Sequence, residues 1–367
     1  MPSEKKLGAY IRPDIESLSA YVPGARPPAG VTMTKLSSNE NPADPAPAVV
    51  DAVHRAASQI NRYPDLYATN LTDAIAEHWK LTPENVAVGN GSVALLSHAL
   101  TALAVMGDDV VYPWRSFEAY PIIAQAAGAT SIQVPLREDA SHDLAAMAAA
   151  VTERTRAIIV CNPNNPTGNL ITRSELMDFI ETIPPTVAVF VDEAYQEYVE
   201  DAECSFDLSE LANYPNVLVF RTFSKAYGLA GLRVGYCLGD PRLIAAVRST
   251  STPFGVNAIA QAAAQVALGE QEVMRRQVKE AIEERERVVT ELREAGWRIP
   301  PTSGNFFYLP LREHAAKLAA AGFDAGVLIR GYAGDGVRVT IGTPAENDRL
   351  LEFLAAREPN SSALRRP

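Results

Sequence analysis

Apolar positions along this chain follow two periods. Short runs rich in β-branched and aromatic residues recur at 86–88, 109–112, 131–134, 157–161, 187–191, 217–220 and 234–238, the pattern of strands buried on both faces. Most of the intervals between them are loop or helical segments. The periodicity also predicts helices over 51–60 and 71–79 and a buried helix opening near Ser92. Strands alternating with helices predict an open α/β sheet with many parallel strands, because a parallel pair needs the long crossover that a helix supplies. Residues 270–294 repeat differently: Val273, Val278, Ile282, Val289 and Leu292 form an apolar stripe in a highly charged segment, which predicts a long amphipathic helix. Strand patterns at 305–309 and 336–341 among further helical stretches predict a separate α+β domain. The first residues, to about Pro47, are rich in Pro, Gly and Ser and read as an arm over a neighbouring surface. The expected division is an arm with part of the small domain (1–47), a large domain (48–260), a small domain (261–356) and a frayed tail (357–367).

Size supports two domains, since 367 residues exceed what one hydrophobic core usually organises. With 33 basic against 44 acidic residues the net charge is -11, which argues against nucleic acid or an anionic membrane as partner. The longest apolar stretch, 93–106, is interrupted by Ser97, His98 and Thr101 and is too short to span a bilayer. No apolar core follows the initial Met1 to Lys6, so a cytosolic location is expected. Cys161, Cys204 and Cys237 offer no disulfide framework, and the five histidines show no paired metal-ligand spacing, so no metal is expected.

One motif points two ways. Gly89-Asn90-Gly91-Ser92-Val93-Ala94 fits the G-x-G-x-x-A dinucleotide fingerprint, with acidic Asp109 about twenty residues on. Asp109, however, opens the next strand instead of closing it, and a long stretch of chain precedes the motif. What survives is its physics. Glycines permit close backbone approach, and the amides of Ser92 and Val93 at a helix N-terminus attract an anion such as a phosphate. The stretch from Arg221 to Tyr236 directly follows a strand and adds Lys225, flanked by Ser224 and Arg233, a hydroxyl and a guanidinium suited to a phosphate dianion, with Thr222 a further contact.

Here the chain resembles the class I/II aminotransferases, specifically their histidinol-phosphate aminotransferase branch, which carries the same S-K-x-x-x-L-A-G-L-R signature. The resemblance extends over almost the whole chain, to Asn162-Pro163-Asn164-Asn165-Pro166-Thr167-Gly168 after one strand and Asp192-Glu193-Ala194-Tyr195 after another. It implies the fold type I transferase architecture: a large domain with a mostly parallel seven-stranded sheet flanked by helices, and a smaller α+β domain. It also implies pyridoxal 5'-phosphate (PLP) as cofactor, held by Lys225 as a Schiff base, with Asp192 facing the pyridine nitrogen. A buried carboxylate there keeps the ring protonated. By the same resemblance Asn165 and Tyr195 bond the 3'-oxygen, Phe117 stacks on the ring, and Ser92, Val93, Thr222, Ser224 and Arg233 surround the phosphate. Lys225, once displaced, is the general base of ping-pong transamination.

For the substrates the resemblance assigns Arg338 to the carboxylate and Arg330, Tyr21 and Asn165 to further contacts. Tyr63 would reach the cofactor phosphate of a partner subunit, which implies a homodimer with shared sites. Two details select the amine. Histidinol-phosphate enzymes carry Asp-Glu after the phosphate-loop Gly-Ser, where this chain has Val93-Ala94. The Trp114 to Glu118 run, His142-Asp143-Leu144, Tyr21-Val22-Pro23-Gly24 and the Gly-Ser-Val sequence are similar to actinobacterial aromatic amino acid (phenylalanine) aminotransferases. The resulting expectation is an aromatic amino acid aminotransferase using 2-oxoglutarate as acceptor. Histidinol-phosphate aminotransferase is the alternative, a PLP-dependent decarboxylase a weaker one, and a PLP-sensing regulator lacks its DNA-binding module here.

Overall fold

The computed structural model describes residues 11–18, 20–21, 24–28, 30–200 and 204–357. The start of the expected arm, Val22 and Pro23 of its Tyr-Val-Pro-Gly run, and nearly all of the expected tail lie outside the described residues. Four strands, β1 (Thr34–Leu36), β9 (Phe306–Leu309), β10 (Val327–Tyr332) and β11 (Gly336–Thr340), form one sheet in the order β1-β10-β11-β9. Seven others form the central sheet: β2 (Val86–Gly89), β3 (Asp109–Trp114), β4 (Thr130–Pro135), β5 (Thr155–Cys161), β6 (Ala188–Asp192), β7 (Val217–Thr222) and β8 (Gly235–Gly239). Their order is β2-β8-β7-β6-β5-β3-β4.

Every neighbouring pair in the central sheet is parallel except those of β8, which runs antiparallel to both β2 and β7. The exception has a local cause. Residues 223–234 join β7 to β8 without an α-helical crossover, so the chain turns back beside the strand it has left. That returning segment carries Lys225. Side chains of the central strands alternate between two cores: Ile158, Val160, Val189 and Val219 enter one, while Ile159, Cys161, Phe190 and Phe220 enter the other. Burial on both faces explains why these strands read as continuous apolar runs.

The helix expected over 51–60 forms instead over Pro47–Ala57, started by a proline in its first turn, where the missing N–H costs nothing. The long charged helix occupies Gln271–Glu294, and its apolar stripe departs from expectation. Val273 and Ile282 are only half-buried, whereas Met274, Val288 and Arg285 are buried. The helix changes partners along its length. Met274 and Val278 pack on the large-domain core, while Val288, Val289 and Leu292 pack with Leu36, Phe307, Val337 and Val339 of the small sheet, so a single straight stripe cannot serve both. Arg285 is buried because its guanidinium donates to the Gly304 carbonyl at 3.1 Å and pairs with Glu286 at 2.9 Å. Among the described residues no helix is long and apolar enough to cross a membrane.

Candidate active site

The C-terminal ends of parallel strands leave a crevice where loops diverge. Here β5 runs into Asn162 to Gly168, β6 ends on Asp192, and β7 leads into Ser224 and Lys225. Together with the 37–38 segment and with Arg330 and Arg338 of β10 and β11, they line a cleft of about 200 Å³. It gathers Lys225, Asp192, Tyr195, Asn165, Phe117, Ser92, Val93, Thr222, Ser224, Arg233, Arg330, Arg338 and Tyr21. Tyr63 is not among them. It is 84% exposed and stacks on Phe254 with ring centroids 4.8 Å apart, away from this chain's own cleft.

Lys225 Nζ donates to the carbonyls of Ser38 at 3.2 Å and Asn39 at 3.1 Å and lies 5.6 Å from the centre of the Tyr195 ring. Neither carbonyl neutralises a charge. Burial, aided by the positive charge of Arg338, brings the ammonium down to about 7. Asp192 shows the opposite displacement, raised to about 6 chiefly by burial. Its Oδ2 accepts from Tyr120 Oη at 2.7 Å, whereas its Oδ1 is buried without a partner. An unpartnered carboxylate oxygen inside a protein is costly unless a cation or donor meets it. A protonated ring nitrogen is such a donor.

The anion cradle is built from three elements. Gly91, at φ +82°, lets the helix Ser92–Leu103 begin with free amides, and a Cβ there would sit 2.7 Å from Arg233 Nη2. Gly235 makes room from below, since its Cβ would lie 2.7 Å from the Ser92 nitrogen. Arg233 Nη1 donates to Ser224 Oγ and to the Ala230 carbonyl, both at 3.1 Å. Thr222 Oγ1 accepts from the Ser224 amide at 3.1 Å and so fixes the turn that presents the hydroxyl. A helix N-terminus, a hydroxyl and a guanidinium in one place suit a phosphate dianion. The residues present therefore fit PLP at both ends: the cradle for its phosphate and Asp192 for its ring.

Between them, Tyr195 Oη accepts from Asn39 Nδ2 at 3.0 Å, and burial pushes the phenol well above its ordinary range. Asn165 Oδ1 accepts from Arg338 Nη1 at 2.6 Å, and Arg338 Nη2 donates to the Ser37 carbonyl at 2.7 Å. Arg338 Nε is buried without a partner, a donor in reserve for an anionic group. Phe117 is half-buried and meets Tyr120 edge to face at 5.6 Å. Arg330 donates to Glu118.

Sequence reasoning missed Tyr120, Ser38, Asn39 and Glu118. The first looks like any core tyrosine. Asn39 had a signal: it lies in the polar run Ser37 to Asn41 directly after β1, and its φ of +51° is a conformation asparagine tolerates better than most residues. Among the described residues no cluster of His, Cys, Asp and Glu could hold a metal, and the three cysteines are buried.

Residues 31–354 match the family described as aminotransferase class I and II. An aromatic amino acid aminotransferase of Rhodococcus erythropolis is 50% identical over 347 residues, covering 95% of this chain and 96% of that protein. One of Mycobacteroides abscessus is 47% identical over 350 residues, covering 95% and 99%. Among solved structures, histidinol-phosphate aminotransferase of Sinorhizobium meliloti, in complex with pyridoxal 5'-phosphate, superposes with a TM-score of 0.85 at 28% identity, covering 96% of this chain and 98% of that one.

Proposed function

The chain belongs to the class I and II aminotransferases and is a PLP enzyme, and from that premise we propose that it moves amino groups from phenylalanine, tyrosine and tryptophan to 2-oxoglutarate. The observation that carries the amino-acid part is the meeting, in one cleft, of a buried amine, a buried carboxylate with a bare oxygen, an anion cradle and Arg338 with a spare donor. The aromatic part is supported by the names of relatives sharing about half of their residues with this chain.

When bound, PLP supplies a carbonyl that condenses with amines and a cationic ring that draws electrons from the substrate Cα. Asp192, whose Oδ1 is bare, would hold the ring proton, and the Tyr120 hydrogen bond on Oδ2 keeps that carboxylate facing one way. Ser92, Val93, Thr222, Ser224 and Arg233 grip the phosphate. Arg338, braced by Asn165 and Ser37, binds the substrate carboxylate and so aims the Cα–H. Lys225 Nζ, with a pKa near 7, takes that proton and can return it, because its affinity matches neutral pH in both directions. Phe117, which lines the same cleft, would lie against the ring. We further propose a cytosolic homodimer in which Tyr63, exposed beside Phe254, reaches the phosphate cradle of a second copy.

A histidinol-phosphate substrate is the second reading, favoured by one observation: Arg330 faces the cleft. The deciding experiment is a half-reaction titration of the PLP-loaded enzyme, following the visible cofactor band as phenylalanine, tyrosine and histidinol phosphate are added separately. Conversion by the aromatic amino acids at far lower concentration supports the proposal. The opposite ranking overturns it and assigns the chain to phosphorylated amines.

A further inference from the structure

Two ion pairs of opposite polarity join the segment after β3 to β10 and the hairpin that follows it. Arg115, just after β3, donates through Nε to Asp335 in the β10–β11 hairpin at 2.8 Å. Glu118, three residues on, accepts from Arg330 of β10 through Nε at 3.2 Å and Nη2 at 2.6 Å. The Tyr332 ring is 5.4 Å from the Arg115 guanidinium and 5.6 Å from that of Arg330. Arg330 lines the active cleft, whereas Glu118 stands behind it in a neighbouring depression with Tyr21, Trp114 and Arg115. The two side chains of the Arg330–Glu118 pair keep only 10% and 25% of their exposure, so salt screens the pair less than it would a surface one.

A guanidinium is the side chain best shaped to take phosphate oxygens two at a time. Without Glu118, Arg330 would present a positive charge to the substrate side chain and favour a phosphorylated one. With it, two of the guanidinium donors are occupied and the charge is cancelled. Asp335 does the same for Arg115, so these four groups together carry no net charge. An uncharged aromatic side chain then meets paired charges and the Tyr332 ring beside them. A dianionic phosphate would have to displace the carboxylate or lie against it.

We propose that Glu118 is a positioning residue that sets substrate selectivity: by pairing with Arg330 it fits the cleft to uncharged aromatic side chains and disfavours phosphorylated ones. The inference rests on the aromatic reading given above. An acceptor with one distal carboxylate meets the same pair with half the charge and is disfavoured less.

The test is kcat/KM of the holoenzyme for phenylalanine and for histidinol phosphate, in the wild type, Glu118→Gln, Glu118→Asp and the double variant Glu118→Gln/Arg330→Gln. In Glu118→Gln the ratio should move toward histidinol phosphate by about tenfold or more, the scale of one partly buried charge. Glu118→Asp should restore most of the wild-type ratio, and the double variant should lose the gain. Should Glu118→Gln fold poorly, Glu118→Ala reads the same ratio. An unchanged ratio in a wild type that prefers phenylalanine, or a gain that survives loss of Arg330, overturns the inference and leaves the aromatic reading standing. A wild type that already prefers histidinol phosphate overturns the aromatic reading, and the inference with it.

Discussion

Asp192→Asn should stabilise the cofactor-free protein at neutral pH while abolishing turnover. Burial raises this carboxyl from the usual 3.8 to about 6, a difference of about two units. At 1.36 kcal/mol per unit, that corresponds to about 3 kcal/mol. The sign follows from the direction of the shift. Well below pH 3.8 the group is neutral both folded and unfolded, and its burial carries no charge penalty. Between about pH 4 and 6 the unfolded chain ionises while the folded one keeps its proton, so stability is lost across that interval, and above about 6 the loss levels off. Asparagine keeps the hydrogen bond from Tyr120 and never ionises. Urea unfolding of the cofactor-free wild type and variant should therefore coincide well below pH 3.8 and differ by about 3 kcal/mol, in favour of the variant, at pH 7.5. PLP should reverse the order, because the cationic ring meets the carboxylate only in the wild type. A pH-independent difference, or a wild type more stable at pH 7.5 without cofactor, would refute the reasoning.

Arg338→Lys should lower kcat/KM for amino acids by about 100-fold, mostly through KM, since one ammonium cannot hold Asn165 and the Ser37 carbonyl and still offer a further donor; steady-state kinetics checks this. Gly91→Ala places a Cβ at φ +82°, 2.7 Å from Arg233 Nη2, and should weaken PLP binding by about tenfold or more, read by titration of the cofactor-free protein. Tyr63→Phe should leave a dimer on sizing but speed the loss of PLP on dilution, and an active monomer would contradict the shared site. Tyr120→Phe removes the hydrogen bond that lowers the Asp192 pKa, so the acidic limb of kcat/KM should move upward in pH.

Much of this was legible in the sequence because the strands are buried on both faces and because the motif residues sit where those strands end. Asp192 closes β6, and the segment carrying Lys225 begins where β7 stops. The rest depends on contacts between segments far apart in the chain. Asn39 reaches Tyr195 across 156 positions and Arg330 reaches Glu118 across 212, distances at which no local pattern speaks. The long helix shows the same limit. Its period is plain, but Val273 and Ile282 lost their expected burial because the helix leans on two cores in succession.

The central claim is that Lys225, and no other lysine, carries the cofactor in this cleft. Borohydride reduction of the holoenzyme fixes PLP to whichever lysine holds it, and peptide mass spectrometry then locates the added group. A single modified peptide containing Lys225, absent in Lys225→Ala, is the expected result; stoichiometric modification of a different lysine would contradict it.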